Sequence, residues 1–400
     1  MKGEERRALD GVLVLDFTRV LSGPFCTMQL ADLGARVIKV EHPGRGDDTR
    51  AWGPPFVNGE SAYFLSINRN KESLTLDLKH PSARSIVDAL LARADVLVEN
   101  FRPGTMERLG FDYERVAAKH PRLVYCSISG FGDEGPRRQE AGYDAVLQAE
   151  GGFMSVTGPG DGSPYRLGLA IADLATALFA TQGILAALLA RERTGRGQRV
   201  DIAMLDSVAA LLTYQSGIYF ATGTAPMRMG NRHPSIAPYD TYRASDGDLV
   251  LAVGNDDQFQ RLCGVLNRPD LASDPRFTTN AGRVEHYSSL KAALDTSICA
   301  RTLVDLTSAL RAAGVPGGSV RTVAETLADP QIAARDMIAS LDHPTAGAVR
   351  VMGTPLKLSE TPASVRTAPP ILGQHTEAIL KQDVGLSDDE VRRLRDASAI

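Results

Sequence analysis

Short apolar runs alternate with longer amphipathic stretches through the first third of the chain. Val12-Leu13-Val14-Leu15 reads as a buried strand. Ser22-Gly23-Pro24 opens a helix with proline near its first turn, and Gly34 closes it. Val37-Ile38-Lys39-Val40, Leu74 to Leu78, Val96-Leu97-Val98 and Leu123-Val124-Tyr125-Cys126 read as further strands. Between them, Ser82 to Arg93 places Ile86, Val87, Leu90 and Leu91 at helical spacing. This alternation predicts an α/β protein with a Rossmann-like parallel sheet covered by helices. Leu174 to Arg193 follows as a long, nearly all-apolar helix stopped by Gly195. Val200 to Met204 is β-like, and Ser207 to Tyr219 reads as helical.

The texture changes at Gly223 to Pro238, which is rich in Gly, Pro and Asn, so residues 1–222 and 223–335 read as separate domains. The second is a smaller α+β domain. Tyr239 to Val253 reads as a hairpin turning at Asp246-Gly247. Helical patterns follow at Gln258 to Leu266, Arg283 to Ile298 and Thr302 to Ala313. Residues 336–400 carry a strand signal at Val349 to Val351 and a polar helix at Ser387 to Ser398.

Composition narrows the function. A chain of 400 residues with 43% hydrophobic and 23% charged positions buries a large core without staples. Its net charge of −4, without long Lys/Arg runs, argues against a nucleic-acid groove. Cys26, Cys126, Cys263 and Cys299 lie far apart, as reduced thiols of a cytoplasmic protein would. Met1 to Asp10 is charged and shows no signal-peptide core. The apolar stretch Leu174 to Ala190 contains Thr176, Thr181 and Gln182 and is flanked by Asp173 and Arg191. It fits a buried helix better than a membrane span. G-x-S-x-G, H-E-x-x-H, the P-loop pattern and G-x-G-x-x-G are missing, and the seven histidines lack ligand spacing, so no metal site is expected. Gly44-Arg45-Gly46 and Gly195-Arg196-Gly197 read as a turn and a helix C-cap.

Ligands of parallel sheets sit on the loops beyond the strands' carboxyl ends. Three segments qualify here: Thr18 to Pro24, Glu99 to Gly104 and Ser127 to Gly132. Asn100 and Phe101 offer hydrogen bonds and a stacking face to a flat ligand group. Asp173 stands between the apolar run Leu167 to Ala172 and the most apolar helix of the chain. It reads as a helix N-cap, as a carboxylate nucleophile, or as both. A helix N-terminus keeps it ionised, and apolar walls strip its water.

Several motifs resemble class III CoA-transferases, the formyl-CoA transferase and carnitine CoA-transferase family. They are Val14-Leu15-Asp16-Phe17-Thr18-Arg19-Val20-Leu21-Ser22-Gly23-Pro24, Gly34 to Glu41, Val98-Glu99-Asn100-Phe101, Thr194 to Gln198, and Asp274-Pro275-Arg276-Phe277 with Arg283. The likeness runs from about residue 10 to 380. Gly46 to Arg50, Trp52 to Phe56, Asn68 to Lys71, Ala141 to Val146 and Leu372 to Thr376 are most similar to the succinyl-CoA:glutarate (hydroxymethylglutarate) branch.

The resemblance implies an interlocked, ring-like homodimer whose large domain is completed by the returning C-terminus. It implies no cofactor beyond CoA or acyl-CoA as substrate. Asp173 matches the family's catalytic aspartate. Leu21, Ser22, His42, Leu76, Lys79, Asn100, Phe101, Arg108, Ala141, Tyr143 and Asp144 fall at CoA-binding positions. Leu21 replaces a glutamine, Ala141 a lysine, and Gly254-Asn255-Asp256-Asp257 a glycine-rich lid, which speaks against formate or oxalate as substrate. An acyl-CoA racemase of the same fold would need a histidine beside Tyr143, and none is there. A non-catalytic CoA-binding module would not need Asp173. A dicarboxylate acceptor leaves one free carboxylate, which an arginine fork matches. Arg69, then Arg19, then Arg50 are the candidates.

Overall fold

The computed structural model describes residues 6–400, so the first half of the charged N-terminal stretch lies outside the described residues. The chain separates into two compact units. The first gathers the stretch ending at Phe153, Leu167–Tyr214 and Pro330–Ile400. The second gathers Met154–Arg166 and Gln215–Asp329.

The first unit is built on six parallel strands: β1 (Leu13–Asp16), β2 (Arg36–Glu41), β3 (Lys71–Thr75), β4 (Val96–Glu99), β5 (Val124–Ser129) and β6 (Arg199–Ala203). Their spatial order is β3-β2-β1-β4-β5-β6, so the winding direction reverses between β1 and β4. Alternation along β1 feeds both faces. Leu13 and Leu15 enter one core with Ile86, Leu90, Phe111 and the C-terminal Leu380 and Leu394. Val14 enters the other with Cys26, Leu30, Ala180 and Ile184. The second core lies under α1 (Ser22–Asp32) and the 24-residue helix Ile171–Thr194, which pack together. That helix is long and apolar enough to cross a membrane, yet half of its most apolar stretch is buried inside the protein. Gly195, at φ +71°, terminates it as expected.

Several boundaries move. The third strand lies at Lys71–Thr75, earlier than the apolar run Leu74 to Leu78, because Lys71 is buried in an ion pair with Asp16 (3.0 Å). Ser207 to Tyr219 is two helices, Met204–Ala210 and Thr213–Thr222. Arg283 to Ile298 is likewise two, Asn280–Glu285 and Tyr287–Ile298.

In the second unit, β7 (Tyr239–Arg243) and β8 (Asp248–Ala252) form the expected hairpin, extended by β9 (Gly317–Ser319). The fully buried Arg283 donates to the carbonyls of Ala237 and Phe277 and pairs with Asp256, knitting this unit's core. Gly254–Asp257 starts a helix here. Asn255 caps it by accepting from the Gln258 N–H, and Gly254 N–H donates to the Gln258 side chain. His233 accepts from the Ser235 N–H and packs on Tyr239.

Candidate active site

Reversal of winding opens a crevice beyond the carboxyl ends of β1 and β4, and the loops after both strands border it. Every exposed edge of the loop after β1 is tied down. Thr18 N–H and hydroxyl bond Asp16, and Thr18 C=O accepts from buried Lys39 (2.8 Å). The Asn100 amide meets both backbone groups of Arg19, accepting at 2.8 Å and donating at 2.7 Å. Val20 sits at φ +70°, a conformation unfavourable for a β-branched residue, and its N–H points to Asp47, the buried ion-pair partner of Lys39. Asn100 therefore acts as a clasp across the crevice, its amide committed to the neighbouring main chain. Beside it, Glu99 accepts from the Phe101 N–H, and burial pushes its carboxyl up to about 7.

The clasped loop delivers Ser22, the first residue of α1. Three further helices matter beside α1: α2 (Ala62–Ile67), α3 (Asp144–Glu150) and α4, the long helix Ile171–Thr194. Asp173 lies in the first turn of α4, but it is not the cap. Ala170 occupies that position and offers no side-chain acceptor, so Asp144 of α3 accepts from the Ala172 N–H instead (2.9 Å). Freed from capping, the Asp173 carboxylate accepts from both the hydroxyl and the backbone N–H of Ser22. Two helix N-termini thus converge on one carboxylate, which favours its charge. Burial and the neighbouring Asp144 charge work the other way and push it up to about 6.

A cavity of about 200 Å³ opens at this carboxylate. Arg19, Ser22, Asn100, Phe101, Gly130, Ala141, Tyr143, Asp144 and Asp173 line it. No histidine is among the lining residues. A second cavity, about 190 Å³, is lined by Thr18, His42, Gly46, Leu76, Lys79 and Thr105. Arg19 and Phe101 border both, with the guanidinium over the ring (5.3 Å), so the two cavities adjoin across this pair and are described together as the groove. Its two ends suit a long substrate with a reactive end and a polar, charged end.

Of the residues expected from sequence, Asp173, Ser22, Asn100, Phe101, Ala141, Tyr143 and Asp144 meet at the first cavity, and His42, Leu76 and Lys79 at the second. Leu21 is buried and lines neither. Arg108 is exposed, donates to Thr105, and also lines neither. Arg69 is not available to a substrate. It is buried and forms a two-pronged ion pair with Asp32 (2.5 and 3.0 Å). Arg50 is spent on Glu41 and on the Pro370 carbonyl. Of the three arginines only Arg19, 42% exposed and loosely paired with Asp48 at 3.6 Å, stands in the groove.

Two contributors were not read from the sequence. Arg102 lines the first cavity from the exposed rim. Tyr63 of α2 lies within electrostatic reach of Asp173. Burial and the charges of Asp173, Asp144 and Asp47 push its phenol up to about 12, and its ring meets Trp52 edge-on at 5.2 Å. The Trp52–Phe56 motif was the only signal nearby.

At the switch point of the parallel sheet the site therefore presents a buried aspartate in one cavity, with a second cavity next to it. The chain belongs to CoA-transferase family III, which matches residues 9–376. It is a class III CoA-transferase. It is 42% identical to the succinyl-CoA:glutarate CoA-transferase of Mus musculus, over 98% of this chain and 90% of the mouse protein. It is 46% identical to the acetyl-CoA:oxalate CoA-transferase of Acetobacter aceti, over 88% and 89% of the two chains. Among solved structures, a CAIB/BAIF family protein from Brucella suis superposes with a TM-score of 0.84 at 43% identity, covering 94% of this chain and all of the other.

Proposed function

We propose that the protein moves CoA from succinyl-CoA to a dicarboxylic acid, glutarate or a relative, with Asp173 as nucleophile. The observation that carries this reading is the Asp173 carboxylate itself, partly desolvated and facing the groove beside the Ser22 donors. Its attack on the donor thioester gives a succinyl-aspartyl anhydride and CoA thiolate. The thiolate returns to the aspartyl carbonyl, releasing succinate and leaving an enzyme–CoA thioester. The acceptor carboxylate attacks the aspartyl thioester, forming a second anhydride and expelling CoA thiolate, which then attacks the acceptor's acyl carbonyl and releases the new acyl-CoA and the free Asp173 carboxylate. The Ser22 N–H and hydroxyl are placed to stabilise oxyanions at the aspartyl carbonyl. Overall one thioester is exchanged for another, so the chemistry asks for no ATP, metal or redox cofactor.

The first cavity holds the acyl end of the thioester, with Tyr143 and Asn100 in its walls. The second holds the nucleotide end, with His42 and Lys79 supplying cationic or hydrogen-bonding groups. Arg19 is the remaining candidate for the acceptor's free carboxylate. A relative named for oxalate makes oxalate an acceptor to test beside glutarate, against the expectation drawn from Leu21, Ala141 and the Gly254–Asp257 segment. The functional particle is a homodimer of interlocked rings. Exposed Tyr214, Tyr219 and Phe220 on the surface of Thr213–Thr222, a helix that buries none of its residues, fit such a partner. Four free thiols fit a reducing compartment such as the cytoplasm.

Exchange of label from succinyl-CoA into glutarate tests the reading, with oxalate and monocarboxylates alongside. Asp173→Asn abolishes it by orders of magnitude with the fold retained. In the wild type the rate falls as pH drops through about 6, where Asp173 takes up a proton. Because its folded pKa is raised, the ionised carboxylate costs stability above that pH. Asp173→Asn therefore unfolds at a higher temperature than wild type at pH 7, and the gap closes between pH 6 and 4. Near-normal exchange by Asp173→Asn sinks the mechanism.

A further inference from the structure

Gln148 is wholly buried in α3 and lines neither cavity, yet its side-chain oxygen and nitrogen are both engaged on the approach to the helix that carries Asp173. It stands one turn after Asp144. Its Nε2 donates to Asp144 Oδ2 (2.7 Å) and to the Leu169 carbonyl (3.2 Å). Its Oε1 accepts from the Leu167 N–H (2.8 Å). Asp144 uses its other oxygen on the Ala172 N–H, immediately before Asp173.

This arrangement answers a local need. Helix starts leave backbone N–H groups without partners, and a capping side chain normally meets one of them. Ala170 has no acceptor to offer. Two side chains from a neighbouring seven-residue helix do the work instead, and they fasten the approach to α4 at three points: residues 167, 169 and 172.

We infer that Asp144 and Gln148 are positioning residues that clamp the entry of α4 and so aim the Asp173 carboxylate at the Ser22 donors and the thioester carbonyl. The inference rests on Asp173 being the nucleophile. Gln148 orients Asp144, and Asp144 sets the helix start. Asp144 from α3 and Tyr63 from α2 interact electrostatically with Asp173, Arg19, Asp48, Arg102, Glu140 and Tyr143 share its cavity, and α1 contributes the uncharged Ser22 donors. The Asp144 carboxylate thus also adds to the upward push on Asp173.

Steady-state exchange between succinyl-CoA and glutarate, measured from pH 6 to 8, tests the clamp. Gln148→Ala lowers kcat about tenfold to a hundredfold, as misaiming by a fraction of an ångström does, while KM for succinyl-CoA stays within about threefold. Gln148→Glu keeps the acceptor toward Leu167. Its carboxylate, when ionised, faces Asp144 without a proton to donate, and that neighbour raises its pKa. Its kcat relative to wild type therefore climbs as pH falls from 8 to 6, when the added proton restores the bond, whereas the Gln148→Ala ratio stays flat. Asp144→Asn shifts the acid limb of the rate toward lower pH. A Gln148→Ala kcat within twofold of wild type overturns the clamp. So does a KM rise as large as the kcat loss, or a flat ratio for Gln148→Glu, and this last variant decides the matter if Gln148→Ala does not fold. Asp173→Asn runs alongside: if it retains exchange, the nucleophile reading fails whatever Gln148 does. If it is dead and the Gln148 variants are normal, only the clamp fails.

Discussion

Asp32 ends α1 with its carboxylate buried, and burial pushes it upward against the pull of Arg69. Both guanidinium prongs of Arg69 and the Asn70 amide are committed to it. Removing one partner of such a pair strands a charge away from water, at about 3–5 kcal/mol. Arg69→Met therefore lowers the free energy of unfolding, measured by chemical denaturation, by that amount, and the folded fraction keeps the wild-type preference for glutarate over a monocarboxylate of equal length. A selective loss with the dicarboxylate alone would return Arg69 to the substrate. The sequence shows this arginine but not the aspartate 37 positions earlier that neutralises it, so its charge looked available. Asp173 was legible for the opposite reason. Its apolar flanks single out this carboxylate, but they read equally as a helix cap, and the nucleophile role comes from the resemblance to class III CoA-transferases.

At the scale of elements, the groove is shaped by loops pressed against one another. Gly130, after β5, and Gly142, before α3, meet backbone to backbone. A Cβ on Gly142 would stand 2.4 Å from the Gly130 Cα, and main chain cannot rotate aside. Gly142→Ala displaces the 141–144 wall, raising KM for succinyl-CoA about tenfold or more with secondary structure intact; circular dichroism and kinetics on one preparation check both. An unchanged KM would mean that this wall does not bound the substrate. The order of strands and helices was readable because apolar periodicity reports burial. It misplaced β3 because Lys71, a charged residue, is the buried one, paired with Asp16 on the neighbouring part of the sheet. Periodicity has no symbol for a charge that is paired inside. The cap of α4 was misassigned for a related reason, since its acceptor comes from another helix.

For the whole molecule, the exposed aromatic and aliphatic side chains Tyr214, Tyr219, Phe220 and Met227 are a poor fit to a free monomer's surface. Sedimentation equilibrium is expected to give twice the 42.8 kDa chain mass at micromolar concentration. A particle of single-chain mass that exchanges CoA normally would refute the interlocked assembly. A change of texture was legible at the Gly/Pro-rich stretch 223–238, whereas the second compact unit takes up the chain at Gln215. The attachment of Met154–Arg166 to the second unit was not legible, because a short excursion carries no compositional signature.

The meeting of the two cavities at Arg19 and Phe101 has a consequence for leverage. In the proposed binding mode, anchoring at the far end and reaction at the near end meet at these two side chains, which line both cavities, so grip on the nucleotide reaches the thioester carbonyl as alignment. A thioester cut back to N-acetylcysteamine keeps the reactive bond and loses the handle. Such a stub forfeits turnover rate as well as affinity, even when supplied at saturation, because the energy that aligns the bond is collected at a distance from it.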